Sequence, residues 1–387
     1  MAQDVAILDF GSSKITVLTG ERGVNNTITV NGIGECEYAG FSDGEWFEPE
    51  QLTYVIGHAV ANAETNSRTT IKHLYVGVPG EFTTAVCRDA SVNFPRKKRI
   101  TEADVDALHS QRDEFASLPD YTVINVQPVY YTLDDERRLI QPIGLNSTRL
   151  GGHISYILAE NKFISFIGRI MDEIGIESVE YVSSLLAETL FLFDEIKRDR
   201  YVLLLDVGYI TSSIVLARGD GILFQRTFSL GGGHVTGDLA TALQISFTKA
   251  ESLKRKVVLS LNVGEQDVYE VLSRDGTESY PAQMVNEIVT ETVARLARTV
   301  NKCLSQCEYD FPDYIPLSLT GGGLSYIKGA RDALSKQLGK PVEIVGPPLP
   351  QFSRPHLSSS LGLMDMVLNQ QTPACKKGFF ARLFGRQ

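Results

Sequence analysis

Long apolar runs are missing from this sequence. Nothing approaches the roughly 18 consecutive apolar residues that a membrane-spanning helix needs, so no span is expected. Cysteine is scarce: Cys36, Cys87, Cys303, Cys307 and Cys375 form no CxxC pair and no cysteine–histidine set with metal-ligand spacing, which excludes a zinc module and a disulfide scaffold. Cys303 and Cys307, four apart, read as packed helix residues. An excess of positive charge is also missing. The formal net charge of −10 argues against a general nucleic-acid role. The opening MAQDVAIL enters a strand at once, with no basic, apolar leader, and predicts a cytosolic chain.

What the chain does have is a hairpin that occurs twice. Asp4–Leu18 reads DVAILDFGSSKITVL: an apolar strand, Val5–Leu8, ends in Asp9, the turn Phe10-Gly11-Ser12-Ser13-Lys14 follows, and Ile15–Leu18 returns. Such a turn offers backbone N–H groups, hydroxyls and a lysine to a phosphate, and the carboxylate can face a hydrated Mg²⁺. Alone, the pattern equally fits an ordinary tight hairpin. At Tyr201–Leu216 it recurs as YVLLLDVGYITSSIVL, with Asp206, Gly208 and Thr211 in the corresponding places. Two copies in 387 residues predict two similar α/β domains, each contributing one phosphate hairpin.

This arrangement resembles the actin–hexokinase ATPase superfamily, whose two domains clamp a nucleotide. Residues 82–161 break the first domain's strand–helix rhythm and read as a small αβ insertion. Within it Thr83–Phe94 and Ile154–Leu158 are expected strands, Val123–Val126 and Val129–Leu133 are two strands around Pro128, Arg96–Arg99 is a basic solvated turn or, alternatively, a partner-binding edge, and Thr101 with Asp104 is a capping box. The segments YTVINVQPVYYTLDD, QPIGLNSTRLGGHISYILA and FISFIGRIMDEIGIESVEYV run in order like those of the FtsA family of bacterial cell-division ATPases, where a subdomain called 1C lies in this place. The resemblance implies an α/β, two-domain actin-like ATPase fold with a 1C-type insertion and a C-terminal amphipathic helix. The expected boundaries are 1–81 with 162–197 for the first ATPase domain, 82–161 for the insertion, 198–235 with 308–366 for the second domain, 236–307 for its outer subdomain, 367–375 for a linker and 376–387 for the terminal helix. Pro49–Ala63, Ile164–Ile174, Glu180–Phe193, Gln283–Tyr309 and Ile327–Leu338 read as helices, and His58 and His73 as structural residues.

The same resemblance implies ATP and Mg²⁺ as ligands. It carries over Asp9, Gly11, Ser12, Ser13 and Lys14 from the first hairpin and Asp206, Gly208 and Thr211 from the second, with Asp9 and Asp206 reaching Mg²⁺ through water. Gly231-Gly232-Gly233 before a helix allows a backbone to approach a ligand closely, and Val235–Leu239 fits the family pattern after it. His234 beside it reads as structural. Glu251 and Lys254 match the family's ribose and adenine contacts, although Thr248 and Glu251 also have capping-box spacing. Gly321-Gly322-Gly323-Leu324 resembles the adenosine motif. The resemblance also implies partners: the C-terminal tail of the tubulin-like FtsZ, received by the outer subdomain, other copies of the chain in a filament, an anionic membrane surface and other division proteins, with no nucleic acid.

After the linker the sequence ends in KKGFFARLFGRQ. On a helix Phe379, Phe380, Leu383 and Phe384 share one face, with Lys376, Lys377, Arg382 and Arg386 elsewhere, the pattern of a helix lying at a membrane interface. Twelve residues are too few for a stable helix in water, so folding on the membrane is expected. This places the chain peripherally on the cytoplasmic face of the cell membrane, at the division site. One departure stands out: Tyr209 and Ile210 replace glycines that the family carries in the second hairpin, and Ser213 replaces its closing acid. That predicts nucleotide binding with weak or absent hydrolysis. The alternatives are a small-molecule kinase of the same superfamily and a pilus or cell-shape actin homologue.

Overall fold

The computed structural model describes residues 4–371 except 24–26, 112–114, 116–117 and 274–275; the terminal segment 376–387 lies outside the described residues. Two bodies are built on the same five-stranded plan. In the first, Val5–Phe10 and Lys14–Arg22 form an antiparallel hairpin extended by Ile28–Glu37, and His73–Val78 and then Ser178–Ser183 add in parallel on the other side. In the second, Val202–Val207 and Ser212–Arg218 form the hairpin, Gly221–Phe228 extends it, and Leu317–Thr320 and Val342–Ile344 add in parallel. The strands preceding the turns, VAIL and VLLL, are buried on both faces, which is why they read as continuous apolar runs. The expected repeat is therefore a repeat of topology.

Helix Leu52–Ser67 lies on the first sheet at backbone contact. A Cβ on Gly34 would stand 1.8 Å from the Ala59 carbonyl oxygen, so only glycine permits this approach. The final helix, Ser358–Gln371, also packs on the first body, with Leu361, Leu363, Met364, Val367 and Leu368 in its core. Arg22 of the first hairpin holds Asp365 at 2.8 Å and the Asn369 amide oxygen at 2.6 Å. The end of the expected second domain, up to residue 366, thus belongs structurally with the first.

The insertion is a separate sheet with strand order Thr83–Arg99, Asn146–Glu160, Tyr121–Thr132 and Arg138–Leu139, covered by helix Glu102–His109. The capping box forms: the Thr101 N–H donates to Asp104 Oδ2 at 2.9 Å. Arg96–Arg99 is the end of a 17-residue edge strand rather than a turn. The two strands expected around Pro128 are one strand with a bulge: His153 pairs with Tyr130 and the next residue, Ile154, with Pro128. Val129, skipped in that register, is buried in the second body's core. The insertion is thereby attached to both bodies.

Glu180–Phe193, expected as one helix, begins in the strand Ser178–Ser183 and becomes helical only at Ser184. Parallel pairing with His73–Val78 outweighs the helical spacing there. The helix expected near Thr236 begins at Gly232, and the long helix runs Ala282–Leu304. Cys36, Cys87, Cys303 and Cys307 are free and partly buried, and none of the described helices is long and apolar enough to cross a membrane. Replacement of Gly34 by valine should push helix Leu52–Ser67 off its sheet and lower stability by about 3 kcal/mol, readable by urea denaturation; an unchanged midpoint would contradict the packing account.

Candidate functional site

Between the two bodies lies a cleft of about 850 Å³ whose walls carry the turns of both hairpins. The first turn supplies Gly11, Ser12, Ser13 and Lys14, and the second Gly208, Tyr209 and Thr211. Asp9 and Asp206 stand at the ends of the strands below, and Gly321-Gly322-Gly323 follows the strand Leu317–Thr320. Each position has a local reason. A Cβ on Gly11 or Gly208 would come within 2.8 Å or 2.7 Å of the carbonyl closing its own turn. Gly321 has φ +84°, and a Cβ there would meet Asp206 Oδ1 at 2.2 Å.

The turns also touch each other. Ser12 Oγ accepts from the backbone N–H of Ile210 at 3.0 Å and of Thr211 at 3.4 Å, so a hydroxyl of one hairpin occupies the amides of the other. Tyr209 and Ile210 are not among the residues with positive φ, so the strain that side chains would suffer at family glycine positions is absent. Their bulk is met by glycine opposite: a Cβ on Gly40 would lie 2.6 Å from Ile210 Cδ1, and one on Gly233 would lie 3.1 Å from Tyr209 Cε1. Ser213 bonds Thr227 at 2.8 Å.

Gly231–Gly233 do not reach the cleft. The N–H groups of Gly232 and Gly233 donate to the carbonyls of Gly208 and Tyr209 at 2.9 and 2.7 Å, and Gly232 packs on Gly323. Their close approach is to the second hairpin, and Leu324 is buried behind them. His234 accepts the Gly231 N–H, a structural role. Helix Phe247–Lys254 is capped by Ser246, whose Oγ accepts from Lys249 N, and not by Thr248 with Glu251. Glu251 instead accepts from Lys254 Nζ at 2.7 Å and Thr236 Oγ1 at 2.6 Å. Lys254, buried, lies 5.3 Å from the centre of the Tyr209 ring. Lys14 reaches Glu35 at 2.5 Å at the cleft rim. Arg295 and Arg298 on the long helix pair with Asp238 and Glu291.

The floor of the cleft is acidic. Burial, against a hydrogen bond from Ser359 Oγ at 2.9 Å, raises the Asp9 carboxyl to about 6. Burial and the neighbouring Asp9 raise Asp206 to about 7. A third carboxyl, Glu188 on helix Ser184–Leu192, is pushed far up by burial and by both aspartates. Glu188 is absent from the sequence-based set; its signal was there, one acid in the apolar run SLLAETLFL. Tyr38, which donates to the Gly11 carbonyl at 2.7 Å, and the Tyr326–His356 pair, 2.6 Å apart, are further wall residues not read from the sequence.

A duplicated sheet with two turns facing a shared cleft is the architecture of actin-like ATPases, and comparison with known proteins agrees. The model of the cell division protein FtsA matches residues 203–362, and that of the SHS2 domain inserted in FtsA matches 80–158, the inserted sheet itself. The chain belongs to the FtsA family. It is 22% identical to the cell division protein FtsA of Escherichia coli K12, over 92% of this chain and 88% of that protein. To FtsA of Pseudomonas aeruginosa it is 23% identical, over 98% and 88%. Among solved structures the fold resembles a PilM–PilN type IV pilus biogenesis complex, with TM-score 0.62, 18% identity, and 95% and 99% of the two chains covered. It also resembles MreB 5 of Spiroplasma citri bound to AMPPNP, with TM-score 0.57, 11% identity, and 98% and 100% covered. Tyr209 and Glu188 line the cleft, and Ile210 packs beside it against Gly40.

The raised carboxyls make stability pH-dependent. The folded state holds these protons more tightly than the unfolded chain, so the contribution is full below a pH of about 4 and is lost as pH rises through 6 to 7. The melting temperature of the nucleotide-free protein should fall between pH 5 and 8, and Asp206→Asn should flatten that fall and raise the value at pH 8 by several degrees. Superimposable profiles for the two proteins would contradict it.

Proposed function

We propose that this member of the FtsA family is a membrane-attached, actin-like adaptor that binds ATP with Mg²⁺ in the cleft, polymerises, and tethers FtsZ filaments at the division site. The observation that carries the reading is the pair of turns converging on one cleft, with carboxyl groups beneath them and a left-handed glycine turn beside them.

The residues present fit a hydrated divalent cation. Among the described residues Asp9, Glu188 and Asp206 make no ion pair, and Glu188 Oε2 is buried without a hydrogen-bond partner. Oxygen-only donors of this kind suit Mg²⁺, which keeps part of its water shell. Bound there, the cation would neutralise phosphate charge that the carboxylates alone would repel. The chain's own residues do the rest. Backbone N–H groups of both turns hold phosphate oxygens once Ser12 gives up its bonds to Ile210 and Thr211. Lys14 exchanges Glu35 for a phosphate, and Gly321–Gly323 allow close approach of the nucleoside. Lys254 and Glu251, already bonded to each other, brace the opposite wall. Ser213, bonded to Thr227, offers no base for an attacking water, which favours slow turnover.

The terminal segment, with its aromatic face and four cations, supplies the attachment, and a filament presenting many such segments to one surface multiplies their retention. Vesicles containing anionic lipid should pellet the full chain, more so with MgATP, and should leave a chain ending at Cys375 in the supernatant. Equal pelleting of the two chains would sink the tether.

A further inference from the structure

Glu188 occupies an unusual position for a carboxylate. It is 1% exposed, and the neighbours Leu185, Leu186, Ala187 and Thr189 on its helix are buried too. The final helix presses on it: a Cβ on Gly362 would come within 2.9 Å of Glu188 Cα, so the helix has no room to shift away. One carboxyl oxygen, Oε2, is sealed without a hydrogen-bond partner, and the side chain lines the cleft beside Asp9 and Asp206. Burying a carboxyl with an oxygen unmet costs free energy unless a cation completes it. The two lysines of the cleft are committed elsewhere, Lys14 to Glu35 and Lys254 to Glu251. The polyphosphate that the cleft is read to hold would add negative charge to this floor.

We infer that Glu188 is a third carboxyl group for the hydrated divalent cation that accompanies the nucleotide, and that it sets the Mg²⁺ concentration at which nucleotide binds. The inference rests on the nucleotide reading above. Among the described residues no three His, Cys, Asp or Glu side chains are close enough to hold a bare ion, so Glu188 acts through the ion's water shell. Such outer groups set affinity: their loss typically lowers metal binding about 10- to 100-fold. With the cation, three carboxylates and the phosphates share one countercharge. Without it, the phosphates meet Asp9 and Asp206 with no countercharge, and Glu188 Oε2 stays unmet.

The test is calorimetric titration of ATP into the full chain across a series of free Mg²⁺ concentrations and in EDTA. Wild type is compared with Glu188→Gln, with Glu188→Met, and with Glu195→Gln as an exposed carboxylate elsewhere. Wild type and Glu195→Gln should bind ATP at least about 100-fold more weakly in EDTA. Glu188→Gln and Glu188→Met should need about tenfold more Mg²⁺ for half-maximal binding. In EDTA at pH 8 both should melt above wild type, which also verifies their folding. The Mg²⁺ midpoint of wild type in both Glu188 variants would overturn the role of Glu188 while leaving nucleotide binding in place. No ATP binding by wild type even with Mg²⁺ would overturn the nucleotide reading and this inference with it.

Discussion

Three carboxyl groups crowded at one place in the cleft, with no cation paired to them among the described residues, are the constraint on which the rest of this structure depends. Asp9 and Asp206 end equivalent strands of two sheets, and Glu188 rises from a helix packed beneath them. None forms an ion pair among the described residues, and burial raises all three carboxyls. An arrangement of this kind persists only if the surrounding fold holds it rigidly. The strands around Asp9 and Asp206 are buried on both faces, and the final helix closes on Glu188 through Gly362. The apolar cores thus stabilise a site that is unfavourable by itself.

The second consequence is a junction between two bodies that already touch. Ser12 fills the amides of Ile210 and Thr211, Ile210 reaches Gly40, and Val129 of the inserted sheet sits in the second body's core. A ligand entering the turns competes with Ser12, so occupancy and the relation of the two bodies are linked through one hydroxyl. The bulk of Tyr209 and Ile210, poorly suited to a phosphate turn by sequence alone, is accommodated because glycines face both side chains.

Much of the scaffold was legible in the sequence. Val5–Leu8 and Val202–Leu205 are apolar on both faces and each ends in Asp, so strand, turn and repeat could be read directly. What failed to read depended on partners distant in sequence. Ser178–Ser183 has helix-compatible spacing and becomes a strand because His73–Val78 lies alongside. Pro128 suggested a break, and pairing with Asn146–Glu160 absorbs it as a bulge. Gly231–Gly233 suggested a ligand turn, yet their N–H groups serve the second hairpin. Glu188 escaped notice because its role comes from two aspartates at the ends of other elements.

The central claim is that both turns close on one nucleotide. Amide hydrogen exchange of the full chain, with MgATP, with ATP in EDTA and with neither, tests it most directly. The account predicts slowed exchange at residues 10–14 and at 208–211 together, with MgATP and not with ATP in EDTA. Protection confined to one turn, or absent from both while ATP is bound, would contradict it.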